Sequence, residues 1–189
     1  MVIKSIETAL KNMDRRYYKL SRTLYSGSKI YQCLPGEKYL ERPFAYEFYH
    51  QFRKLIDEGR ISFGVSVIQA EVDKGYQRLA SLDKVPDFIL HAPNTTKNVA
   101  VIEFKLVSNN RKRLVDDLEK LVLFSRDAGY TLAVEVVIGN SRELKETWKK
   151  LDELKTGEGV EISVIAYDVD ERNIERRTIL FKPTSVDGR

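Results

Sequence analysis

Asp87, Glu103 and Lys105 are three charges set among apolar residues in the stretch VPDFILHAPNTTKNVAVIEFKLV. A loop centred on Thr95 folds this stretch into a hairpin in which paired residue numbers add to 190, so Asp87 faces Glu103, Ile89 faces Val101 and Phe88 faces Ile102. Carboxylates directly across a strand pair repel each other, and burial adds a desolvation cost, so a positive group must compensate or a proton must be taken up. Lys105 shares a strand face with Glu103 and lies ~7 Å along it. A divalent cation is the fuller remedy, because magnesium commonly takes one or two carboxylates and leaves its other positions to water and substrate phosphate. Such an ion lowers the pKa of bound water and stabilises charge on a phosphoryl oxygen, and a nearby ammonium orients the attacking water or takes part in proton transfer. Phosphodiester hydrolysis is the chemistry that these residue types at this spacing could do.

The flanking elements must hold that hairpin. Ahead of it, RPFAYEFYHQFRKLIDEG reads as a helix closed by Gly59, with Phe44, Phe48, Phe52 and Leu55 inward and Glu47 at the edge of the stripe. ISFGVSVIQAEVDKGY reads as a strand followed by a turn. Behind the hairpin come a helix from Asn109 or Asn110 to Gly129, an apolar strand YTLAVEVVIG, a helix with Leu144, Trp148 and Leu151 inward, and two last strands, VEISVIAYDV and IERRTILFK. At the N-terminus, Ile3, Ile6, Leu10, Met13, Tyr17, Leu20 and Leu24 recur at intervals of three and four, which predicts a helix through Leu24 that packs on the following domain or pairs with its copy in a homodimer. Breaker signals SGSK and LPGEK follow it. The expected architecture is an α/β domain whose central mixed sheet begins with an antiparallel meander and is flanked by helices, with a basic helical segment at 1–42 and the core at 43–189.

With that order of elements around them, Pro86-Asp87 and Glu103-Phe104-Lys105 resemble the signature of the PD-(D/E)XK nuclease superfamily, over residues 43–139. The resemblance implies a restriction-endonuclease-like core and a magnesium-dependent nuclease acting on DNA, with manganese as an alternative ion. It implies metal ligation by Asp87, Glu103 and the Phe104 carbonyl, assistance from Glu47 on the first core helix, and catalysis by Lys105. Glu71, on the preceding strand, could replace or join Glu47. The alternative is a non-catalytic relative of the same fold that binds nucleic acid or protein. Asp117 and Lys120, on the helix after the hairpin, are expected to face the site as helix residues do in some relatives, whereas Glu135, inside the strand LAVEVVIG, has no role in this scheme.

Composition agrees with a nucleic-acid partner. The formal charge of +4 is concentrated in residues 1–30, where seven cations stand against Glu7 and Asp14 for a net +5. Arg15, Arg16 and Lys19 lie there among Tyr17, Tyr18, Tyr25, Tyr31 and Tyr39, aromatic groups that either stack bases or anchor an interior. Arg111, Lys112 and Arg113 open the helix after the hairpin, where free N–H groups add to a grip on phosphate. Cys33 is the sole cysteine and forms no internal disulfide, and His50 and His91 are too few for a Cys/His zinc site. No apolar run has membrane-spanning length and the N-terminus lacks a signal peptide's apolar core, so the expectation is a cytoplasmic protein.

Overall fold

The computed structural model describes residues 1–26, 29–71, 85–107 and 111–183, the side chains of 21–37 and of 111 excepted. Among these described residues the chain is α/β, with four helices, a six-stranded mixed sheet and a small antiparallel sheet. It divides into two compact units, Met1–Ile61 and Ser62–Arg189. That boundary places the first long helix with the N-terminal residues, whereas the sequence suggested a division after residue 42.

The first unit holds α1 (Val2–Asn12), strands β1 (Lys19–Ser26) and β2 (Lys29–Tyr39), and α2 (Glu41–Asp57). The helix expected through Leu24 therefore ends at Asn12. Met13 is extended (φ −61°, ψ 141°), and the Asp14 carboxylate accepts from Arg16 N at 3.0 Å, turning the chain into a single 3-10 turn at Arg15–Tyr17. An interval of four, as from Leu20 to Leu24, satisfies the strand period of two as well as the helical 3.6, so the stripe continued while the structure changed. The LPGEK turn is also absent. β2 runs through it, and the ladder jumps from Ser21↔Glu37 to Thr23↔Cys33, so Pro35 and Gly36 fall in a bulge where no ladder N–H is demanded of the proline. α2 forms as its apolar spacing predicts: Phe44, Phe48, Phe52 and Leu55 are buried, and Gly59 takes the left-handed φ of 69° that ends the helix.

The second unit is one sheet in the order β3-β4-β5-β6-β7-β8, comprising Val67–Ala70, Phe88–His91, Asn98–Leu106, Leu132–Gly139, Val160–Asp168 and Ile174–Phe181. Strands β3, β4 and β5 form the expected antiparallel meander; β5, β6 and β7 are parallel; β8 returns antiparallel at the edge. The parallel crossovers are α3 (Arg111–Asp127) and α4 (Ser141–Leu154). Both helices lie on one face, where Leu118, Leu121, Phe124, Trp148 and Leu151 meet Val101, Ala133, Val137, Val164 and Ala166 in a single apolar cluster. The other face, with Ile102, Phe104, Val134, Val136 and Ile165, is buried as well. The expected cap of α3 at Asn109 or Asn110 and the turn beyond β3 lie outside the described residues.

Candidate metal centre

The β4–β5 hairpin positions the first acid. Its pairs Phe88↔Ile102, Ile89↔Val101 and Leu90↔Ala100 keep the register read from the sequence, and a bulge shifts it only at His91↔Asn98. Carried one residue back, that register sets Asp87 against Glu103. Thr95 closes the loop, donating from Oγ1 to Ala92 O at 2.8 Å and accepting from Lys97 N at 3.1 Å. Asp87 sits just before β4, its Oδ2 accepting from Phe104 N at 2.7 Å and its carbonyl accepting from Glu71 N at 3.0 Å. Glu71 itself is exposed, with φ 48° just past the end of β3.

The parallel β5–β6 ladder adds a residue that the hairpin could not reveal, for Glu103 pairs with Glu135 and the two side chains share the face covered by α3. From α3 come Asp117 and Lys120. Lys120 Nζ lies 2.7 Å from Glu103 Oε2 and 3.8 Å from Asp117 Oδ1, while Lys105 Nζ lies 2.7 Å from Asp117 Oδ2. Asp87, Glu103 and Lys105 are thus brought together, and the ammonium set against Glu103 Oε2 is Lys120.

Four carboxyl groups, Asp87, Glu103, Asp117 and Glu135, share this region with two ammonium groups, Lys105 and Lys120, an excess of two negative charges when all are ionised. Burial pushes the Glu103 carboxyl up to about 8, reinforced by the charge of Asp87 and only partly opposed by Lys120. Glu135 is fully buried, and neither of its carboxylate oxygens has a hydrogen-bond partner among the described residues. Its carboxyl stands well above the usual range because of that burial, then because of the charges of Asp117 and Glu103. Burial opposes the charge on Lys120, but Glu103 and Asp117 outweigh it and raise its pKa. Either two protons or one divalent cation removes the excess.

Among the described residues, no three His, Cys, Asp or Glu side chains converge to hold a metal ion by themselves. The donors nevertheless match a hard cation, since all are oxygens and Glu103 Oε1 is buried without a hydrogen-bond partner. Two carboxylates are the usual protein share of a magnesium shell, so the set fits that ion.

The remaining sequence candidates belong to the first unit or to the first turn of α3. Glu47 lies in the first unit, buried, its Oε1 accepting from Asp14 N at 3.0 Å and from Gln51 Nε2 at 2.8 Å. Arg16 pairs with Asp14 at 2.6 Å at the surface, beside Arg15, and Lys19 opens β1. Lys112 and Arg113 are exposed in the first turn of α3; the Arg111 side chain lies outside the described residues. No helix among the described residues is long and apolar enough to cross a membrane.

No protein-family model, curated protein or solved structure matches this chain. The class defined by fold and site is therefore an α/β protein with a buried acid–lysine cluster on the helix-covered face of a mixed sheet. Glu135 and Asp117 carried sequence signals, one a carboxylate inside an apolar strand and the other an acid three residues from Leu114 on the buried stripe of α3.

Proposed function

We propose that the protein is a metal-dependent nuclease hydrolysing phosphodiester bonds in DNA, built on a restriction-endonuclease-like core. The observation that carries this reading is the proximity of Asp87, bonded to Phe104 N at 2.7 Å, to the buried Glu103 carboxyl, in a cluster that is two positive charges short of neutral. Supporting it is the order of elements: a meander with an acid at its second strand and Glu-x-Lys on its third, then a helix and a parallel strand.

In this reading Asp87, Glu103 and the Phe104 carbonyl would hold Mg2+ or Mn2+. The bound ion supplies a more acidic water and a counter-charge for a phosphoryl oxygen. Phe104 N–H, 2.7 Å from Asp87 Oδ2, fixes the orientation of that carboxylate. Asp117 holds the Lys105 ammonium at 2.7 Å, on the strand face of Glu103, where it can donate to a phosphoryl oxygen or to the attacking water. Lys120 keeps Glu103 from carrying its charge alone.

The test is incubation of purified protein with linear, circular and branched DNA in magnesium, manganese or chelator. Asp87→Ala and Lys105→Ala are expected to lower cleavage about 10²–10⁴-fold while leaving the circular dichroism spectrum unchanged. Undiminished cutting by both variants would remove this mechanism. One observation favours a second reading, a non-catalytic binding relative: the Lys120 ammonium already sits on Glu103 where a metal would otherwise neutralise it. That reading predicts DNA binding indifferent to magnesium and to Lys105.

A further inference from the structure

Two tyrosines that are exposed among the described residues of the N-terminal unit stand on one cavity. Tyr17 and Tyr46 keep 65% and 52% of their surface exposed, far more than the neighbouring Tyr18 at 0%, which packs edge-on against Phe44 with ring centroids 4.9 Å apart. Tyr17 and Tyr46 line a cavity of about 380 Å³ together with Pro43, Glu47 and His50. Pro43, Tyr46, Glu47 and His50 fall at i, i+3, i+4 and i+7 on α2, one face of the helix, and Tyr17 reaches them from the 3-10 turn.

The parts of this cavity are held in place from inside the unit. Buried Tyr18 anchors the turn that presents Tyr17, and Tyr18 N bonds to Arg15 O at 3.2 Å. Asp14 N and Gln51 Nε2 both donate to Glu47 Oε1, which ties the turn to α2. A carboxylate that is 5% exposed, fixed by two donors and bordering a cavity between aromatic rings, is an acceptor with a defined direction. Beside it lies a polar cavity of about 480 Å³ that shares Tyr17 and His50 and is lined also by Lys54 and Arg60.

We infer that the Tyr17–Tyr46 cavity is a nucleobase subsite for single-stranded nucleic acid, in which a base stacks on the tyrosines and presents an amino N–H to Glu47. This rests on the nuclease reading for the class of ligand. It assigns Glu47 a task different from metal assistance. Exposed rings flanked by Arg15, Arg16 and Lys19 combine a stacking platform with phosphate neutralisation, the two components of single-strand binding. An amino edge, as in cytosine, suits the carboxylate, whereas thymine presents carbonyl O4 there and repels it.

The experiment is fluorescence anisotropy of the full chain in chelator, with labelled oligo(dC), oligo(dT) and an abasic strand of the same length. The intact protein is expected to bind oligo(dC) about tenfold more tightly than the abasic strand. Tyr17→Ala and Tyr46→Ala each remove most of that preference, and Tyr→Phe at either position restores it, because stacking needs the ring and not the hydroxyl. Glu47→Gln narrows the preference for oligo(dC) over oligo(dT), with folding checked by circular dichroism. Should Glu47→Gln not fold, the tyrosine variants decide the matter. Equal affinity for base-bearing and abasic strands, binding to none of them, or tyrosine variants that match the parent would overturn the subsite. Because no metal is present, the outcome is separate from cleavage: base preference without magnesium-dependent cutting sinks the nuclease and keeps the subsite, and cutting without base preference does the reverse.

Discussion

Glu103 is pulled two ways, because the strand that carries it buries it and the neighbours that surround it are mostly acids. With its carboxyl raised from 4.5 to about 8, the folded protein holds a proton over that interval that the unfolded chain has released. The folded state then binds more protons, so stability falls as pH rises through the interval, by up to ~1.4 kcal/mol per pH unit for one group. Gln reproduces the protonated acid without its titration. Urea denaturation of Glu103→Gln and the parent should therefore diverge in the variant's favour from pH 5 to pH 8; a difference that stays flat with pH would show the carboxyl to be ionised in both states. Glu135 poses a simpler case, having full burial and no hydrogen-bond partner for either oxygen among the described residues. Glu135→Met keeps the length of the side chain and removes the desolvation penalty, and by analogy with replaced buried ionic groups it should raise stability by ~1–4 kcal/mol at pH 8. Loss of stability in that variant would mean that the carboxylate is supported by something other than its neighbours in the sheet.

At the scale of elements, α4 is the part whose sequence signals agree most completely. Asn140 Oδ1 accepts from Arg142 N and Glu143 N, and Asn140 N in turn donates to Glu143 Oε2 at 2.9 Å, a full capping box. Asn140→Ala should lower the unfolding free energy by ~1 kcal/mol, measured by denaturant midpoint, and leave the proposed DNA cleavage at the parent's level in an assay on the same preparation. Such local agreement explains what could be read in advance. The stripes of α2 and α4 and the matched apolar residues of β4 and β5 are local patterns, and a one-residue slip in the hairpin would have turned both strands inside out. The N-terminal ribbon was missed because an interval of four serves both periodicities and the break at Met13–Asp14 is made by a side chain competing for the backbone. The pairing of Glu103 with Glu135 was hidden for another reason. It depends on a parallel ladder between strands separated by the whole of α3, and nothing in either strand alone fixes that register. Asp87, Glu103 and Lys105 were legible as a set, and Asp117 and Lys120 as helix residues that could face it; which ammonium meets Glu103 Oε2 is settled only once the crossover is packed.

For the whole molecule, these local charges become one linkage between metal, protons and folding. A cation that binds Asp87 and Glu103 in the folded chain alone stabilises it by RT ln(1 + [M]/Kd), ~2.7 kcal/mol at a hundredfold excess over Kd. Glu103 must give up its proton to serve as a ligand, so metal competes with the proton held up to about pH 8. The stabilisation by metal should consequently be larger at pH 8.5 than at pH 6.5, opposite in direction to the metal-free stability, which declines over the same range. Thermal unfolding with and without manganese at the two pH values measures both slopes on one sample. Asp87→Ala should abolish the metal-dependent shift in Tm while keeping the metal-free pH slope, although shallower, because Asp87 is only the second contributor to the raised carboxyl after burial. A Tm that ignores manganese at both pH values would leave the two missing charges to be supplied by protons, and the cluster would then be a buried acid network with no ion to hold.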